Sequence, residues 1–356
     1  MKYIRERLND YNANCCLNEL CAASKGLGAL EAQIDSYQFN SILIPMLHKK
    51  EAISSMYIEG TQTTLSEVFE NEVARRNDTD LAMVEVRNHT DALIFGADHL
   101  RNEPFSNSFI QKLHSVMMKG ILPDGLQDTL GKYKKADNRI VNSVGTIVFS
   151  PPSYKETKRY MDELLEFMNN ERDGINPLIK AAISHAQFES IHPFDDGNGR
   201  VGRLLVSLYL YKANVINFPF FYISEAISQN KSVYYSKLTD SRKNSYDEWI
   251  RYFLGRIIVQ TEKHIQYIKN LNDLYKRTRD SVRSVVNSPK FDRIIEQLFT
   301  HPVLTVKYLA QALDVSDAQA KRYINLLESK QILLGDDRKR GRTYYFAQLL
   351  DLAGGL

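Results

Sequence analysis

A nine-residue segment, His192–Arg200, combines side chains and glycines that could act on a phosphate group. It reads His-Pro-Phe-Asp-Asp-Gly-Asn-Gly-Arg and separates two segments with helical periodicity. Because its glycines lead into the second helix, unpaired backbone N–H groups and the helix dipole should attract an anion there. His192 is a candidate general base, since an unperturbed imidazole titrates near neutral pH. Asp196 is a candidate ligand for Mg²⁺ held against phosphate oxygens.

Two arginines at the start of that second helix also point to a polyanion. Arg200 and Arg203 are three residues apart and therefore share one helix face. Cations near a helix N-terminus oppose the helix dipole, so two of them together indicate a ligand with several negative charges. The alternative is a helix-capping turn that contains a histidine by chance, which leaves the aspartate and both arginines without a role.

The same segment resembles the motif of the Fic family, His-Pro-Phe-x-Asp/Glu-Gly-Asn-Gly/Lys-Arg, at every position that the motif specifies. The resemblance covers roughly residues 40–265. It includes three further segments, which are Gly131-Lys132-Tyr133-Lys134, the hairpin before Pro151-Pro152, and Tyr234-Tyr235. Lys134 stands where relatives often carry arginine, a difference that keeps the positive charge.

The resemblance implies a mainly α fold in which a Fic helical bundle carries a small β-hairpin, the flap. It implies a protein adenylyltransferase that transfers AMP from Mg-ATP to a Ser, Thr or Tyr hydroxyl of a target protein. ATP would be the substrate and Mg²⁺ the cofactor, while the target protein is unknown. The flap around Gly145–Phe149 is similar to the element that aligns the target chain by strand addition.

Residue by residue, the resemblance implies that His192 is the general base and Asp196 the Mg²⁺ ligand. It implies an anion hole at 197–199 around the α-phosphate, and contacts from the two arginines to the β- and γ-phosphates. The full set of implied ATP and phosphate contacts is Gly197, Asn198, Gly199, Arg200, Val201, Gly202, Arg203 and Tyr235. Tyr235 lies on the adenine side by this resemblance, although a tyrosine pair is equally typical of core packing.

A second candidate element, Ser55–Gly60, precedes the loop by more than a hundred residues. A helical pattern runs from Leu47, and Gly60 is a typical residue for its C-terminal end. Glu59 would then lie at the negative end of the helix dipole, where a carboxylate is disfavoured unless a cation faces it. Spacing alone also fits a solvated surface glutamate.

The resemblance favours the first of these interpretations. The inhibitory motif of Fic proteins is Ser/Thr-x-x-x-Glu-Gly/Asn, and Ser55, Glu59 and Gly60 match it. In those relatives the glutamate pairs with the second arginine of the catalytic motif, which corresponds to Arg203. The resemblance therefore implies autoinhibition, because an occupied Arg203 cannot hold the γ-phosphate.

The elements that must position these residues are mostly helical. Apolar residues at spacings of three and four predict helices over 47–60, 106–118, 153–169, 177–191, 202–213, 246–277 and 290–299. A predicted hairpin pairs 133–141 with 142–149. The predicted division is an N-terminal helical region at 1–90 with the inhibitory helix at about 47–60, a Fic catalytic core at 91–275, a linker at 276–289 and a C-terminal domain at 290–356.

The C-terminal residues resemble a winged helix-turn-helix domain. Helical patterns at 291–299, 305–313 and 316–328 precede a basic wing at 333–346, with Thr305 as a candidate N-cap. Lys321, Arg322 and the basic residues of 338–342 could contact phosphates, so residues 305–342 are a candidate DNA-binding surface. The alternative is a winged helix that docks a protein and carries a solvated basic turn.

Composition limits the remaining possibilities. A net charge of +3 over 356 residues does not indicate a general nucleic-acid binder, so any DNA contact must be local. Three clustered cysteines, an odd number, predict a reduced protein without disulfides. The sequence shows neither a signal peptide nor an apolar run of roughly 18 residues, which predicts a cytoplasmic protein without membrane contact.

Other functions are compatible with the same residues. The site could remove AMP from proteins or transfer another nucleotidyl group. A different class of protein, a DNA-binding regulator whose Fic core senses ATP, also fits the sequence. The resemblance further implies a possible homodimer. His185 is expected in the core rather than at a metal, since its spacing from His192 is not a zinc pattern.

Overall fold

The computed structural model describes residues 11–36, 40–74, 80–141, 145–243, 245–338 and 341–354, and most of them are helical. The helices are α1 (Leu17–Ser36), α2 (Asn40–Glu59), α3 (Leu65–Ala74), α4 (Leu81–Leu100), α5 (Asn107–Met117), α6 (Tyr154–Asn169), α7 (Pro177–Ile191), α8 (Asn198–Lys212), α9 (Ser224–Ser228), α10 (Lys231–Ser241), α11 (Asp247–Arg283), α12 (Phe291–Thr300), α13 (Val306–Leu313), α14 (Asp317–Ser329) and α15 (Ala347–Leu352). The strands are β1 (Ile140–Val141), β2 (Ile147–Phe149), β3 (Val303–Thr305), β4 (Leu334–Gly335) and β5 (Thr343–Tyr345).

The predicted helices are present, and three of them differ in length by several residues. Helix α2 begins at Asn40 rather than at Leu47. Helix α8 begins at Asn198 rather than Gly202, because a left-handed glycine completes the turn just before it. Helix α11 continues to Arg283, so the predicted linker at 276–289 begins inside a helix. The division of the chain into the four predicted regions stays a prediction.

Helix α7 is the central helix beneath the candidate site. Every residue from Leu178 to Ile191 is buried, and α6 and α8 pack against this helix. Asn176 caps its start by accepting a hydrogen bond from the Leu178 N–H at 2.9 Å. Trp249 Nε1 donates to the Ala182 carbonyl at 2.7 Å. Because close-packed neighbours surround it, α7 gives the loop that follows a fixed starting point.

The hairpin before α6 is shorter than predicted. β1 and β2 are antiparallel, but β1 has two residues, so the prediction of a strand over 133–141 is wrong in extent. Lys134 and Asn138 of that segment bond to the backbone of the 192–200 loop instead of a partner strand. Residues 142–144, which belong to the second predicted strand, lie outside the described residues.

The chain forms two compact units. The first contains the chain up to Ala32, Ser54–Thr61 and Glu85–Glu262. The second contains Gln33–Ile53, Gln62–Val84 and Lys263–Leu356. Helix α2 therefore contributes residues to both units, and its last turn belongs to the first.

Within the second unit, two lysines hold the first part of α2. Lys49 pairs with Glu72, and its Nζ lies 4.8 Å from the centre of the Phe69 ring. Lys50 Nζ donates to the carbonyl of Ala353 at 3.0 Å. These contacts connect α2 to α3 and to the residue that follows α15.

The second unit also contains α12, β3, α13, α14, β4 and β5 in that order. The three strands form one antiparallel sheet with the order β3-β5-β4. Thr305 is the N-cap of α13, as predicted, because its hydroxyl accepts a hydrogen bond from the Tyr308 N–H at 3.2 Å. Ser316 caps α14 in the same way through the Gln319 N–H.

Two further observations concern the thiols and the membrane. The thiol of Cys16 is buried and that of Cys21 is exposed, while the side chain of Cys15 lies outside the described atoms. In the described ranges, no helix combines the length and the apolar character that crossing a bilayer requires. The cytoplasmic location stays a prediction.

Candidate active site

The loop between α7 and α8 turns sharply through two left-handed residues. His192 ends α7 with φ of 49°, and its N–H still donates to the Phe188 carbonyl at 3.0 Å. Gly197 precedes α8 with φ of 80°, and a Cβ there would lie 2.6 Å from Met118 Sδ. Glycine is therefore required at that position. A left-handed histidine is uncommon and indicates that the surrounding contacts hold it in place.

The side chain of Asn198 fixes the shape of this loop. Its Oδ1 accepts from the Phe194 N–H at 2.8 Å, and its Nδ2 donates to the Phe194 carbonyl at 2.8 Å. The residue is buried. The amide is thus held by the Phe194 backbone on both its oxygen and its nitrogen, and this pair of hydrogen bonds fixes the turn from which the α8 N–H groups begin.

Two residues of the preceding segment clamp the loop. Lys134 and Asn138 hold four consecutive carbonyls, those of Ile191, His192, Pro193 and Phe194. The backbone N–H and Nζ of Lys134 donate at 2.8 and 3.2 Å, and Asn138 Nδ2 donates twice at 3.1 Å. Burial lowers the pKa of Lys134 to about 8. The sequence analysis missed Asn138, because a single asparagine in a polar segment carries no distinguishing pattern.

His114, on α5, braces the loop from the other side. Its Nδ1 accepts from the Gly131 N–H at 3.0 Å, so Nε2 carries the proton and donates to the Asp196 carbonyl at 3.0 Å. Its ring stacks on Phe194 with 3.8 Å between centres. Burial lowers the pKa of His114 to about 4, which keeps this tautomer neutral. The sequence analysis missed this residue too, since it occupies an ordinary position in an amphipathic helix.

The predicted base, His192, is largely desolvated. Burial lowers its pKa to about 4, and the charges of Lys134 and Arg242 act in the same direction. The imidazole is therefore neutral near pH 7. A neutral imidazole can accept a proton from a hydroxyl that is brought within hydrogen-bond distance.

The predicted metal ligand, Asp196, is partly open to solvent, with 36% of its side chain exposed. Its Oδ1 accepts from the Gly197 N–H at 2.6 Å and lies 3.2 Å from Arg200 Nη2. In the described part of the chain, no group of three His, Cys, Asp or Glu side chains forms a metal cluster. Asp196 adjoins the candidate phosphate cradle, which consists of the backbone N–H groups at the start of α8 together with Arg200 and Arg203. One open carboxylate at that place suits Mg²⁺, which takes one or two carboxylates and completes its shell with phosphate oxygens and water.

Arg203 is the more enclosed of the two predicted arginine ligands, with 1% of its side chain exposed against 11% for Arg200. Its Nη2 donates to Glu59 Oε1 at 2.6 Å and to the Ser55 carbonyl at 3.1 Å. Its Nε donates to Ser55 Oγ at 3.0 Å. Burial opposes ionisation of Glu59, but the charge and hydrogen bond of Arg203 outweigh it and hold the pKa of Glu59 below its usual value.

The carboxylate of Glu59 also lies against the first turn of α8. A Cβ on Gly199 would come within 2.4 Å of Glu59 Oε1 and within 2.8 Å of an Arg203 amino group. A side chain at Gly199 is therefore incompatible with this arrangement. Since the N-terminal turn of a helix attracts anions, the carboxylate occupies a place that suits a phosphate oxygen.

Gly60 ends the helix that carries Glu59. It has φ of 101°, and the Thr61 N–H donates back to the Met56 carbonyl at 3.1 Å. This wrapped hydrogen bond is the usual way in which a left-handed glycine closes a helix. The glycine of the predicted inhibitory motif thus sets where the helix stops, one residue after Glu59.

Arg200 has its own carboxylate partner, which the sequence analysis missed. Its Nη1 lies 2.5 Å from Glu85 Oε1, and both side chains are nearly buried, with 11% and 8% exposed. Its Nη2 reaches Asp196. Glu85 is one of three acidic residues in α4, more than a hundred positions before Arg200, and no local pattern marks it. Both predicted polyphosphate ligands are thus ion-paired.

Two other residues predicted to contact ATP, Val201 and Gly202, contact the protein itself. The Val201 N–H donates to the Gly197 carbonyl at 3.1 Å, and its side chain is buried. The Gly202 carbonyl lies 3.1 Å from His185 Nδ1, and a Cβ on Gly202 would come within 2.3 Å of Glu189 Oε1. Val201 and Gly202 therefore support the packing of α8 on α7.

Tyr235 and its neighbour Tyr234 differ in solvent exposure. Its side chain is 44% exposed, whereas Tyr234 is buried and donates its hydroxyl to His185 Nε2 at 2.9 Å. Burial raises the pKa of Tyr235 to about 12. His185 lies in the core, as the sequence analysis expected.

Family models match two parts of the chain. The Fic/DOC family model matches residues 104–210, and the Fic/DOC family N-terminal model matches residues 17–98. The first range contains the loop, its clamps and both arginines. The second contains Ser55, Glu59 and Glu85.

Relatives in other organisms are named protein adenylyltransferases. The chain is 26% identical over 266 residues to the probable protein adenylyltransferase of Aquifex aeolicus (strain VF5), an alignment covering 74% of this chain and 76% of the relative. It is 26% identical over 134 residues to a protein adenylyltransferase of Caenorhabditis elegans, covering 37% of this chain and 25% of that protein. The chain thus matches about a quarter of the nematode protein.

Solved structures share the fold. A Fic family protein from Desulfovibrio desulfuricans G20 has a TM-score of 0.60 at 19% identity, over 95% of this chain and 97% of that chain. A Fic domain-containing signaling protein from Bacteroides thetaiotaomicron VPI-5482 has a TM-score of 0.54 at 23% identity, over 68% of this chain and 97% of that chain. The predicted helical Fic fold with a small hairpin is confirmed. With two matching family models, the shared fold and a loop of this geometry, the chain belongs to the Fic/DOC family.

Proposed function

We propose that this protein transfers AMP from Mg-ATP to a Ser, Thr or Tyr hydroxyl of a target protein. The observation that carries the proposal is that a carboxylate of the protein itself, that of Glu59, occupies the candidate phosphate cradle. The carboxylate of Glu59 packs on Gly199 and pairs with Arg203, so the site already binds negative charge where a phosphate group is needed. Relatives named protein adenylyltransferases, at 26% identity, support the same reaction.

The residues of the loop and of the start of α8 have different roles in this reaction. Neutral His192 takes the proton from the target hydroxyl, whose oxygen forms a bond to the α-phosphorus while the bond to pyrophosphate breaks. Negative charge grows on the phosphate oxygens, and the N–H groups at the start of α8 stabilise it without reorganising. Arg200 and Arg203 hold the departing pyrophosphate. Mg²⁺ bound at Asp196 would neutralise part of the phosphate charge.

In this proposal the resting protein is autoinhibited. Arg203 cannot bind the γ-phosphate while it is paired with Glu59 and Ser55. Arg200 is likewise held in an ion pair with Glu85. ATP must therefore compete with two carboxylates for its two arginines.

Mass spectrometry of a cell lysate treated with the full-length Glu59→Gly variant, Mg²⁺ and ATP tests the reaction. We expect AMP adducts on Ser, Thr or Tyr of one or a few proteins, absent when ATP is omitted. Adducts that form only with a different nucleoside triphosphate would replace AMP by another nucleotidyl group. Loss of AMP from a modified protein, without any new adduct, would show the opposite reaction and overturn the proposal.

We also propose that residues 290–356 form a winged helix-turn-helix domain that binds duplex DNA through 305–342. The element order and the antiparallel sheet β3-β5-β4 support the fold. Three predicted phosphate contacts have internal partners, since Lys321 donates to the Tyr344 hydroxyl, Arg338 pairs with Asp336 and Arg342 pairs with Glu328. Arg322 is exposed on α14 and is expected to form the contact with a DNA phosphate, while Lys339 and Arg340 lie outside the described residues.

The formation of a homodimer stays a prediction.

A band-shift assay with the full chain and random-sequence duplex DNA checks this surface. We expect binding that weakens as salt rises, because phosphate contacts release counterions. Arg322→Ala should weaken binding severalfold, whereas Lys112→Ala, at an exposed lysine of α5, should not. No binding at low salt would contradict the DNA proposal and favour a protein partner.

A further inference from the structure

A cavity of about 140 Å³ lies beside the flap, apart from the nucleotide contacts described above. Its walls come from β2, α7 and the end of α10, and include Val148, Phe149, Gln187, Ser190, Arg242 and Lys243. Ser190 precedes His192 by two residues in the chain. The cavity therefore adjoins the end of α7 that presents the proposed base.

Two cations contribute to this cavity. The guanidinium of Arg242 lies 3.9 Å from the centre of the Phe149 ring, and its Nε donates to Ser190 Oγ at 3.1 Å. Burial lowers the pKa of Arg242 to about 10, with Glu189 acting in the opposite direction. Among the residues that the structure describes, no carboxylate forms an ion pair with Arg242 or with exposed Lys243. Glu189 is a weak counter-charge, since burial raises its own pKa to about 7.

Among the described residues, the oxygen of a buried amide in the same wall has no hydrogen-bond partner. Gln187 is 2% exposed, and its Nε2 bonds to the hydroxyl of Tyr246. Its Oε1 has no hydrogen-bond partner within the described residues. Buried polar atoms are rarely left unpaired. Exchanging the two ends of the amide keeps its shape, lets Tyr246 donate to Oε1, and frees an N–H donor for a ligand.

The adjoining hairpin can receive an extended chain. Val141, Ile147 and Val148 are 54%, 46% and 45% exposed, an unusual set of apolar side chains at a surface. A two-stranded sheet has unpaired outer edges, to which an added strand can bond. Side chains of such a strand alternate in direction at about 3.3 Å per residue, so a residue close to the acceptor hydroxyl can reach the cavity.

We propose that this cavity is a subsite for an aspartate or glutamate side chain of the target protein, close in sequence to the hydroxyl that receives AMP. The inference rests on the proposed AMP transfer and adds a class of acceptor sequence to it. A carboxylate satisfies Arg242, Lys243 and the Gln187 donor together. A basic side chain would be repelled, and an apolar one would leave the polar groups unpaired. The volume suits one side chain of this size.

Peptide arrays with one central Ser, Thr or Tyr test the proposal. Each flanking position carries Asp, Glu, Ala or Lys in turn, and the full-length Glu59→Gly variant is supplied with α-labelled ATP and Mg²⁺. We expect an acidic residue at one flanking position to raise labelling about tenfold over lysine, as one close charge pair would. Lys243→Glu should reverse that preference at the same position and leave the Kd of an ATP analogue unchanged.

A matched variant and a second readout complete the test. Lys112→Glu makes the same charge change at an exposed lysine of α5 outside the cavity and should keep the acidic preference. The adduct sites found in lysate should also be enriched in Asp and Glu near the modified residue, and Lys243→Glu should remove that enrichment. Labelling without any charge preference would overturn the subsite while leaving AMP transfer intact. Absence of every adduct, in peptides and lysate, would overturn both.

Discussion

Replacing Glu59 by glycine is expected to raise the initial rate of AMP transfer about tenfold to a hundredfold. Glu59 forms a charge-assisted hydrogen bond with Arg203, and such a bond is worth about 1.5–3 kcal/mol, where 1.4 kcal/mol is a factor of ten. Without the carboxylate, both Arg203 and the start of α8 become available to phosphate oxygens. The rate is measured with α-labelled ATP and Mg²⁺ on a lysate or on a target identified from it.

Two variants separate the charge of Glu59 from other effects of the substitution. Glu59→Gln keeps the size of the side chain and removes its charge, so it should show an intermediate rate. Glu156→Gly makes the same substitution at an exposed position in the first turn of α6, and no change in rate is expected. Equal labelling by the wild-type protein and Glu59→Gly would contradict autoinhibition. Release of AMP from modified protein by the wild type alone would instead assign Glu59 to the reverse reaction.

Replacing His192 by alanine in the Glu59→Gly background is expected to lower kcat by about 10² to 10⁴, the usual contribution of a general base. The Kd for ATP should change little, because the cradle consists of α8 amides and arginines. Radiolabel transfer gives the rate and titration calorimetry the Kd. His301→Ala, at a histidine in the second compact unit, should leave both unchanged.

The same base predicts a particular pH profile. His192 must be neutral to accept a proton, and burial lowers its pKa to about 4. Its activity is therefore present above that value and lost as pH falls through it. The acid limb of kcat/KM should have its midpoint near 4 rather than at the usual histidine value of about 6.5. Full labelling by His192→Ala, with ATP binding retained, would contradict the assignment of His192 as the base. DNA binding and ATP binding without any labelling by the Glu59→Gly parent would favour a nucleotide-sensing regulator over an enzyme.

The sequence predicts the parts of this site that are continuous in the chain. The 192–200 loop, the arginines after it and the helix that ends at Gly60 each appear within a few residues, so residue type and spacing indicate their chemistry. Helix positions follow from apolar periodicity for the same reason. Asn198 shows the limit of such reasoning, because its residue type fits an anion ligand although its amide bonds to Phe194.

The parts that the sequence does not predict depend on contacts between distant segments. Glu85, His114 and Asn138 meet the loop only after the helices have packed, and each has the residue type of many surface or core positions. Nothing local distinguishes a glutamate that holds Arg200 from one that faces water. The hairpin was overpredicted for a related reason, since Lys134 and Asn138 bond to the loop instead of a partner strand.

Helix α2 carries residues of both compact units, among them Glu59 of the candidate site. Glu59 belongs to the first unit, whereas Lys49 and Lys50 of the same helix belong to the second. Pro45 lies inside that helix and removes one backbone hydrogen bond from it. If binding of ATP displaces Glu59 and thereby weakens the hold on Lys50, linkage is reciprocal: a ligand of the second unit that loosens Lys50 would raise the affinity for ATP by the same factor.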